Sequence, residues 1–158
     1  LGFRVENKRV LVLGAGGAAR GVLGPLLALH PALFTLVNRT LEKARLLKNT
    51  FSALGAITVC DYAGLEGPFD LVINATSSSL KGEGLDLPDD LFAADSLAYD
   101  LMYGNSSIPF QELARRRGAG SCADGVGMLV EQAAESFYLW RAVRPATRDV
   151  IATLKRAC

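Results

Sequence analysis

The chain has 158 residues, 50% of them hydrophobic and 21% charged, the proportions of one globular domain with its own core and not of a disordered tail. Its 17 Lys and Arg nearly balance 16 Asp and Glu, and a net charge of +1 excludes a nucleic-acid-binding face built on excess positive charge. No apolar run reaches the ~18 residues that span a bilayer, and charged Arg4, Glu6, Lys8 and Arg9 rule out a signal peptide at Leu1, so a soluble cytoplasmic protein with no membrane partner is expected.

In chain order, the apolar run Val10-Leu11-Val12-Leu13 predicts a strand over Arg9–Leu13. It leads straight into Gly14-Ala15-Gly16-Gly17-Ala18-Ala19 and a helix from near Gly16 to Leu29, whose apolar face carries Val22, Leu23, Leu26 and Leu27. His30, the only histidine, precedes Pro31 where that helix must stop, and reads as a helix-end cation and not a base. A second strand, Leu33–Val37, ends on Asn38-Arg39-Thr40. Thr40 then caps a helix continuing through Leu47 to Leu54, with Gly55 as its stop.

Further strands are expected at Ala56–Cys60, Asp70–Asn74, Leu97–Leu101 and Ala119–Cys122, with helices filling the gaps. Lys81-Gly82-Glu83-Gly84 reads as a surface loop. Pro88-Asp89-Asp90 reads as a helix start whose acidic residues, with Asp86, complement the helix N-terminus and do not bind metal. Arg115-Arg116-Arg117 closes an amphipathic helix. From Met128 the spacing of Leu129, Ala133, Phe137 and Trp140 predicts a helix burying that face, and Ala146–Cys158 forms a last helix. This alternation predicts an α/β fold of Rossmann type: a doubly wound, mainly parallel sheet with helices on both faces and strand order 3-2-1-4-5-6. Residues 1–158 make one domain, with 141–158 its C-terminal helical segment.

The order 3-2-1-4-5-6 puts a ligand crevice at the strand C-terminal ends beside the first and fourth strands. A glycine-rich turn lets backbone approach a pyrophosphate, and the helix it opens offers free N–H groups and a positive dipole end, so Gly14, Ala15, Gly16, Gly17 and Ala18 are expected to hold one. Ala19 in place of a third glycine keeps the small side chain that helix-on-strand packing needs. At Asn38, about the spacing where a carboxylate would accept bonds from the 2′-hydroxyl of NAD, there is no carboxylate. Arg39 instead offers a planar guanidinium that chelates a 2′-phosphate, which points to NADP.

Two other strand ends reach the same edge. Asn74-Ala75-Thr76-Ser77-Ser78-Ser79 supplies hydroxyl and amide groups for ribose and phosphate oxygens, from which Thr76 and Ser77 are taken. In Tyr99-Asp100-Leu101-Met102-Tyr103, Tyr103 at the strand exit is the candidate substrate contact. After the glycine loop Asp124-Gly125-Val126-Gly127, Gln132 sits on a stripe of the next helix from which its amide can face the crevice. Cys60, Cys122 and Cys158, without CxxC spacing, read as free thiols, and no metal site is expected.

Taken together, these motifs resemble the shikimate dehydrogenase family along essentially the whole chain: Gly14 to Ala18, Asn38-Arg39-Thr40, Asn74-Ala75-Thr76-Ser77-Ser78, and Gly125-Val126-Gly127-Met128-Leu129-Val130 with Gln132-Ala133-Ala134. The resemblance implies an NADP-dependent oxidoreductase of aromatic amino-acid biosynthesis that interconverts shikimate and 3-dehydroshikimate. It implies NADP contacts at Gly14 to Ala18, Asn38, Arg39, Thr40, Lys43, Leu101 and Gly125, with Tyr103 and Gln132 touching shikimate. Leu101 stands where many members have Met. Members also carry an N-terminal substrate domain with a Lys and an Asp that act on the shikimate hydroxyl. This chain starts at the linker after such a domain, so no catalytic proton donor is assigned within it, Lys81 lying on a loop and Lys155 near the C-terminus. The alternatives are a quinate/shikimate dehydrogenase also using NAD, for which the nearest acidic residue to Arg39 is Glu42 a turn into the helix, and a non-catalytic nucleotide-binding module.

Overall fold

The structure is a computed structural model and describes residues 2–76 and 87–157. Six parallel strands form one sheet: β1 (Arg9–Leu13), β2 (Leu33–Val37), β3 (Thr58–Cys60), β4 (Phe69–Asn74), β5 (Phe92–Asp100) and β6 (Ser121–Ala123). Their order is β3-β2-β1-β4-β5-β6, the expected doubly wound arrangement. The helices are α1 (Gly17–Leu27), α2 (Leu41–Thr50), α3 (Ile108–Arg116), α4 (Val126–Arg141) and α5 (Arg148–Ala157).

Strands buried on both faces read as continuous apolar runs, and β1 and β2 are of this kind, with Val10 through Leu13 fully buried. Successive residues point to opposite faces. Val10, Val12, Leu36, Leu71 and Ile73 join the core beneath α1 and α2, where Ala19, Leu23, Leu27 and Ala44 meet them. Leu11, Leu13, Val37 and Val72 pack on the other face with Phe110 and Ala114 of α3. Each such Leu or Val, fully removed from water, contributes about 1.5–3 kcal/mol.

Four expectations are corrected. First, α2 ends at Thr50 with Phe51 as its cap, before Leu54 and Gly55. The chain leaves in a turn, Leu54 N–H bonding the Phe51 carbonyl at 2.9 Å, and Gly55 sits tightly against Leu27, whose methyl would lie 3.2 Å from an added Cβ. Thr40 occupies the cap position with extended backbone, but its side chain makes no capping bond. Second, Pro88-Asp89-Asp90 starts no helix. It is a turn running into β5, and Asp89 pairs with Arg117 at 3.2 Å; Lys81 to Asp86 lie outside the described residues.

Third, no helix joins β3 to β4, which are linked by irregular backbone and turns. Fourth, the face of α4 that docks on the domain is Val126, Val130 and Ala134. Leu129, Ala133, Phe137 and Trp140 face outward, Trp140 being 80% exposed. The last helix forms as expected and is tied to α4 through Arg144, which bonds Glu135 and lies 3.3 Å from Glu131, and through Thr147, which donates to Glu131 at 2.6 Å. Among the described residues no helix is long and apolar enough to cross a membrane.

Candidate functional site

The crevice is built by five strand ends held in register by backbone bonds. Gly14 N–H donates to the Val37 carbonyl at 2.7 Å, Ala75 N–H to Leu13 at 2.9 Å and Leu101 N–H to Asn74 at 3.0 Å. Asn38 N–H reaches the Cys60 carbonyl at 3.3 Å. Gly14 has φ +99°, and a Cβ there would lie 3.0 Å from both the Ala75 oxygen and the Thr76 methyl, so only glycine fits. By contrast, side chains built at Gly16 or Gly17 would meet nothing within 4 Å. These two positions open onto free space beside the start of α1.

Helix α1 begins at Gly17 with Gly16 as its cap residue, which offers no side-chain cap, and no acidic residue lies in its first turn. Neither its cap nor its first turn offsets the positive end of the helix dipole, which favours an anion in the open space there. Asn38 fixes the turn's position. Its Oδ1 accepts from Ala15 N–H at 3.2 Å while its Nδ2 donates to the Thr40 carbonyl at 2.8 Å. Both ends of the amide are thus engaged with the protein.

Arg39 and Thr40 are exposed just beyond, and Lys43 is exposed in the first turn of α2. The guanidinium acts on Tyr62 after β3: burial pushes the Tyr62 phenol up, and Arg39 pulls the other way. Glycine turn and β2 end are therefore brought together, and the exit of β3, which no motif singled out, joins them through Tyr62.

A second region lies on the α1 face of the sheet, where a largely apolar groove of about 840 Å³ is walled by Gly17, Ala18, Tyr99, Leu101, Met128 and Gln132, among others. Leu101 and Gln132 thus share one groove with the start of α1. Tyr103, half-exposed after β5, does not line it, nor do Arg39, Lys43, Thr76 or Gly125. Gly125 is the cap residue just before α4 and donates its N–H to the Met102 carbonyl at 2.9 Å. A side chain there would overlap the Leu101 carbonyl, so close approach of α4 to the end of β5 requires glycine. Ser77 lies outside the described residues.

Sequence reasoning passed over one pair. Asn74 and Asp100, opposite each other at the ends of β4 and β5, are both fully buried. Asn74 Nδ2 donates to Asp100 Oδ2 at 3.1 Å, and Met102 N–H donates to Asp100 Oδ1 at 2.9 Å. Asn74 Oδ1 in turn accepts from Thr76 N–H at 3.1 Å and from the Thr76 hydroxyl at 2.7 Å. Burial pushes the Asp100 carboxyl up to about 6, with the nearby Asp124 charge adding to the rise against the two bonds it accepts. The available signal was a polar residue closing each of two apolar strands.

Strand order, glycine turn and crevice define a Rossmann-type α/β domain. The family model for shikimate / quinate 5-dehydrogenase matches residues 2–81, and that for the shikimate 5′-dehydrogenase C-terminal domain matches residues 125–155. The chain belongs to the shikimate/quinate 5-dehydrogenase family.

It is 53% identical over 156 residues to the shikimate dehydrogenase (NADP(+)) of Dechloromonas aromatica, a match covering 98% of this chain and 57% of that protein. With the shikimate dehydrogenase (NADP(+)) of Aromatoleum aromaticum it shares 55% identity, covering 96% of this chain and 56% of that one. The crystal structure of an Ael1 enzyme from Pseudomonas putida superposes with a TM-score of 0.88 at 48% identity, over 97% of this chain and 56% of that one. The chain thus spans little more than half the length of the relatives it matches.

Proposed function

We propose that this chain is the NADP(H)-binding part of a shikimate dehydrogenase, an enzyme that reversibly reduces 3-dehydroshikimate to shikimate. The observation that carries the reading is the open space at Gly16 and Gly17, beside the uncapped start of α1 and joined through Asn38 to Arg39. A dinucleotide laid across it puts its pyrophosphate over Gly14, Ala15, Gly16, Gly17 and Ala18, and its 2′-phosphate among Asn38, Arg39, Thr40 and Lys43. The names of the relatives, which specify NADP, support the same choice.

Thr76 then faces ribose or phosphate oxygens, Leu101 and Gly125 bound the nicotinamide, and Tyr103 and Gln132 meet the substrate. Bound NADPH supplies the hydride; these residues hold its ring against the substrate carbonyl. The proton for the carbonyl oxygen must come from a group within hydrogen-bond reach. His30 lies at the N-terminal ends of β1 and β2, opposite the crevice, its carbonyl bonded to Asn7 N–H at 3.1 Å, and we assign the donor to a partner substrate domain outside these residues.

Calorimetric titration with NADPH and NADH tests the reading. A charge-assisted contact from Arg39 contributes about 1.5–3 kcal/mol, or roughly tenfold to a hundredfold preference for NADPH. Arg39→Ala should remove most of it. Equal affinity of the unmutated chain for both cofactors would reject the NADP assignment and favour a quinate/shikimate enzyme using NAD as well. Binding of neither would reject both.

A further inference from the structure

The Asn74–Asp100 pair joins three segments of the crevice that the sheet alone leaves independent. Through Oδ2 the carboxylate holds Asn74, which holds Thr76 by two bonds; through Oδ1 it holds Met102 N–H. The Met102 carbonyl accepts from Gly125 N–H, where α4 begins. We propose that Asp100 is a positioning residue for the nicotinamide end of the cofactor site, setting Thr76, the Leu101–Tyr103 wall and the start of α4 in one geometry. This rests on the cofactor reading above and adds a role to a residue that touches no ligand.

The geometry prescribes which chemistry is needed at each position. Both groups aimed at Asp100 are N–H donors, so the side chain must accept twice. Asn74 must donate once, toward Asp100, and accept twice from Thr76. Asp100→Asn turns one acceptor into an NH₂ donor facing either Asn74 Nδ2 or Met102 N–H. Rotating the Asn74 amide to compensate sets its NH₂ against Thr76 N–H, so one buried donor stays unpaired in either arrangement.

Exchanging the two residues removes the conflict. With Asp100→Asn and Asn74→Asp together, the amide at position 100 donates to the carboxylate at position 74 and accepts from Met102 N–H. That carboxylate also accepts both Thr76 bonds. Every bond of the native pattern is kept.

The test compares the unmutated chain, Asp100→Asn and the exchanged double variant. Each is titrated with NADPH and with adenosine 2′,5′-bisphosphate, a fragment that reaches the Arg39 end and the glycine turn but carries no nicotinamide, while amide exchange is followed at Thr76 and Met102. Asp100→Asn is expected to weaken NADPH by about tenfold or more and to speed exchange at both amides by at least about tenfold, while 2′,5′-bisphosphate binding changes by less than about twofold. The double variant should return NADPH affinity to within about threefold and restore amide protection.

Equal weakening of NADPH and the bisphosphate would mean a general structural role and overturn the proposal, as would unchanged NADPH binding by Asp100→Asn. If Asp100→Asn does not fold, the double variant decides: native-like NADPH binding supports the proposal, and failure to fold or bind refutes it. Should the unmutated chain bind neither ligand, the cofactor reading fails and takes the nicotinamide role with it. The exchange data then report only whether the pair organises Thr76 and Met102.

Discussion

Asn38 Oδ1 accepts a hydrogen bond from Ala15 N–H at 3.2 Å, and the same amide donates through Nδ2 to the Thr40 carbonyl at 2.8 Å. One side chain thereby sets the glycine turn after β1 relative to the entry of α2, where Arg39 stands. A carboxylate cannot replace it, because the Thr40 carbonyl would then face an oxygen with no proton to share.

Asn38→Asp is accordingly expected to lower NADPH affinity by roughly tenfold or more, since it loses the Thr40 bond and sets a negative charge beside the 2′-phosphate. NADH, with a hydroxyl there that a carboxylate can accept, should lose much less. The ratio of the two dissociation constants, measured by fluorescence titration, is the decisive quantity. An unchanged ratio would remove Asn38 from the 2′-phosphate site.

Two glycines of the crevice should respond in opposite ways to a side chain. At Gly125 a Cβ would collide with the Leu101 backbone, and Gly125→Ala should destabilise the fold by about 1–3 kcal/mol in urea denaturation. At Gly16 a side chain meets only open space. Gly16→Val should leave the denaturation midpoint nearly unchanged while abolishing NADPH binding. A Gly16→Val chain that binds NADPH normally would place the phosphates elsewhere.

The parts of the fold legible in the sequence were those where one local signal suffices. β1 and β2 are short apolar runs ended by Gly14 and Asn38, and their bounds match the structure residue for residue. β5 was located only from Leu97 onward. Its start pairs Phe92 with Phe69, after which the register is irregular until Leu97 meets Leu71, so the intervening Ala93 to Ser96 lack strand alternation.

The same logic explains the missed site pair. Asp100 and Asn74 are 26 residues apart, and only the β4–β5 register makes them partners. On α4 the apolar residues surround the helix, so periodicity could not choose the buried face. Packing of Val130 and Ala134 against the domain chose it.

That choice can be measured. Trp140→Ser should shift the unfolding free energy by no more than about 0.5 kcal/mol, because the side chain already lies in water. Leu23→Ala, on the buried face of α1 with 0% exposure, should cost about 2–5 kcal/mol. A large loss for Trp140→Ser in this chain would restore the Leu129, Ala133, Phe137 and Trp140 face as core.

Stability should also depend on pH through Asp100, whose carboxyl is raised from the usual 3.8 to about 6 by burial first and Asp124 second. Below the lower value both folded and unfolded chains hold the proton, and the full contribution of the neutral group is present. As pH rises from about 4 to about 6, the unfolded chain releases the proton while the folded chain still binds it, so stability falls. Above that window both states are ionised and the loss is constant. Each pKa unit corresponds to about 1.4 kcal/mol, and with relaxation around the buried charge the loss is on the order of 2 kcal/mol. Urea denaturation of the unmutated chain and of Asp100→Asn, which removes the buried carboxylate, at about pH 4, 5, 6 and 7 isolates the site from other carboxylates. Carbon-13 NMR of the Asp100 carboxyl should titrate with a midpoint near 6. A midpoint near 4 would mean that the two N–H bonds, and not burial, govern this carboxylate, and the stability difference would then stay flat across the window.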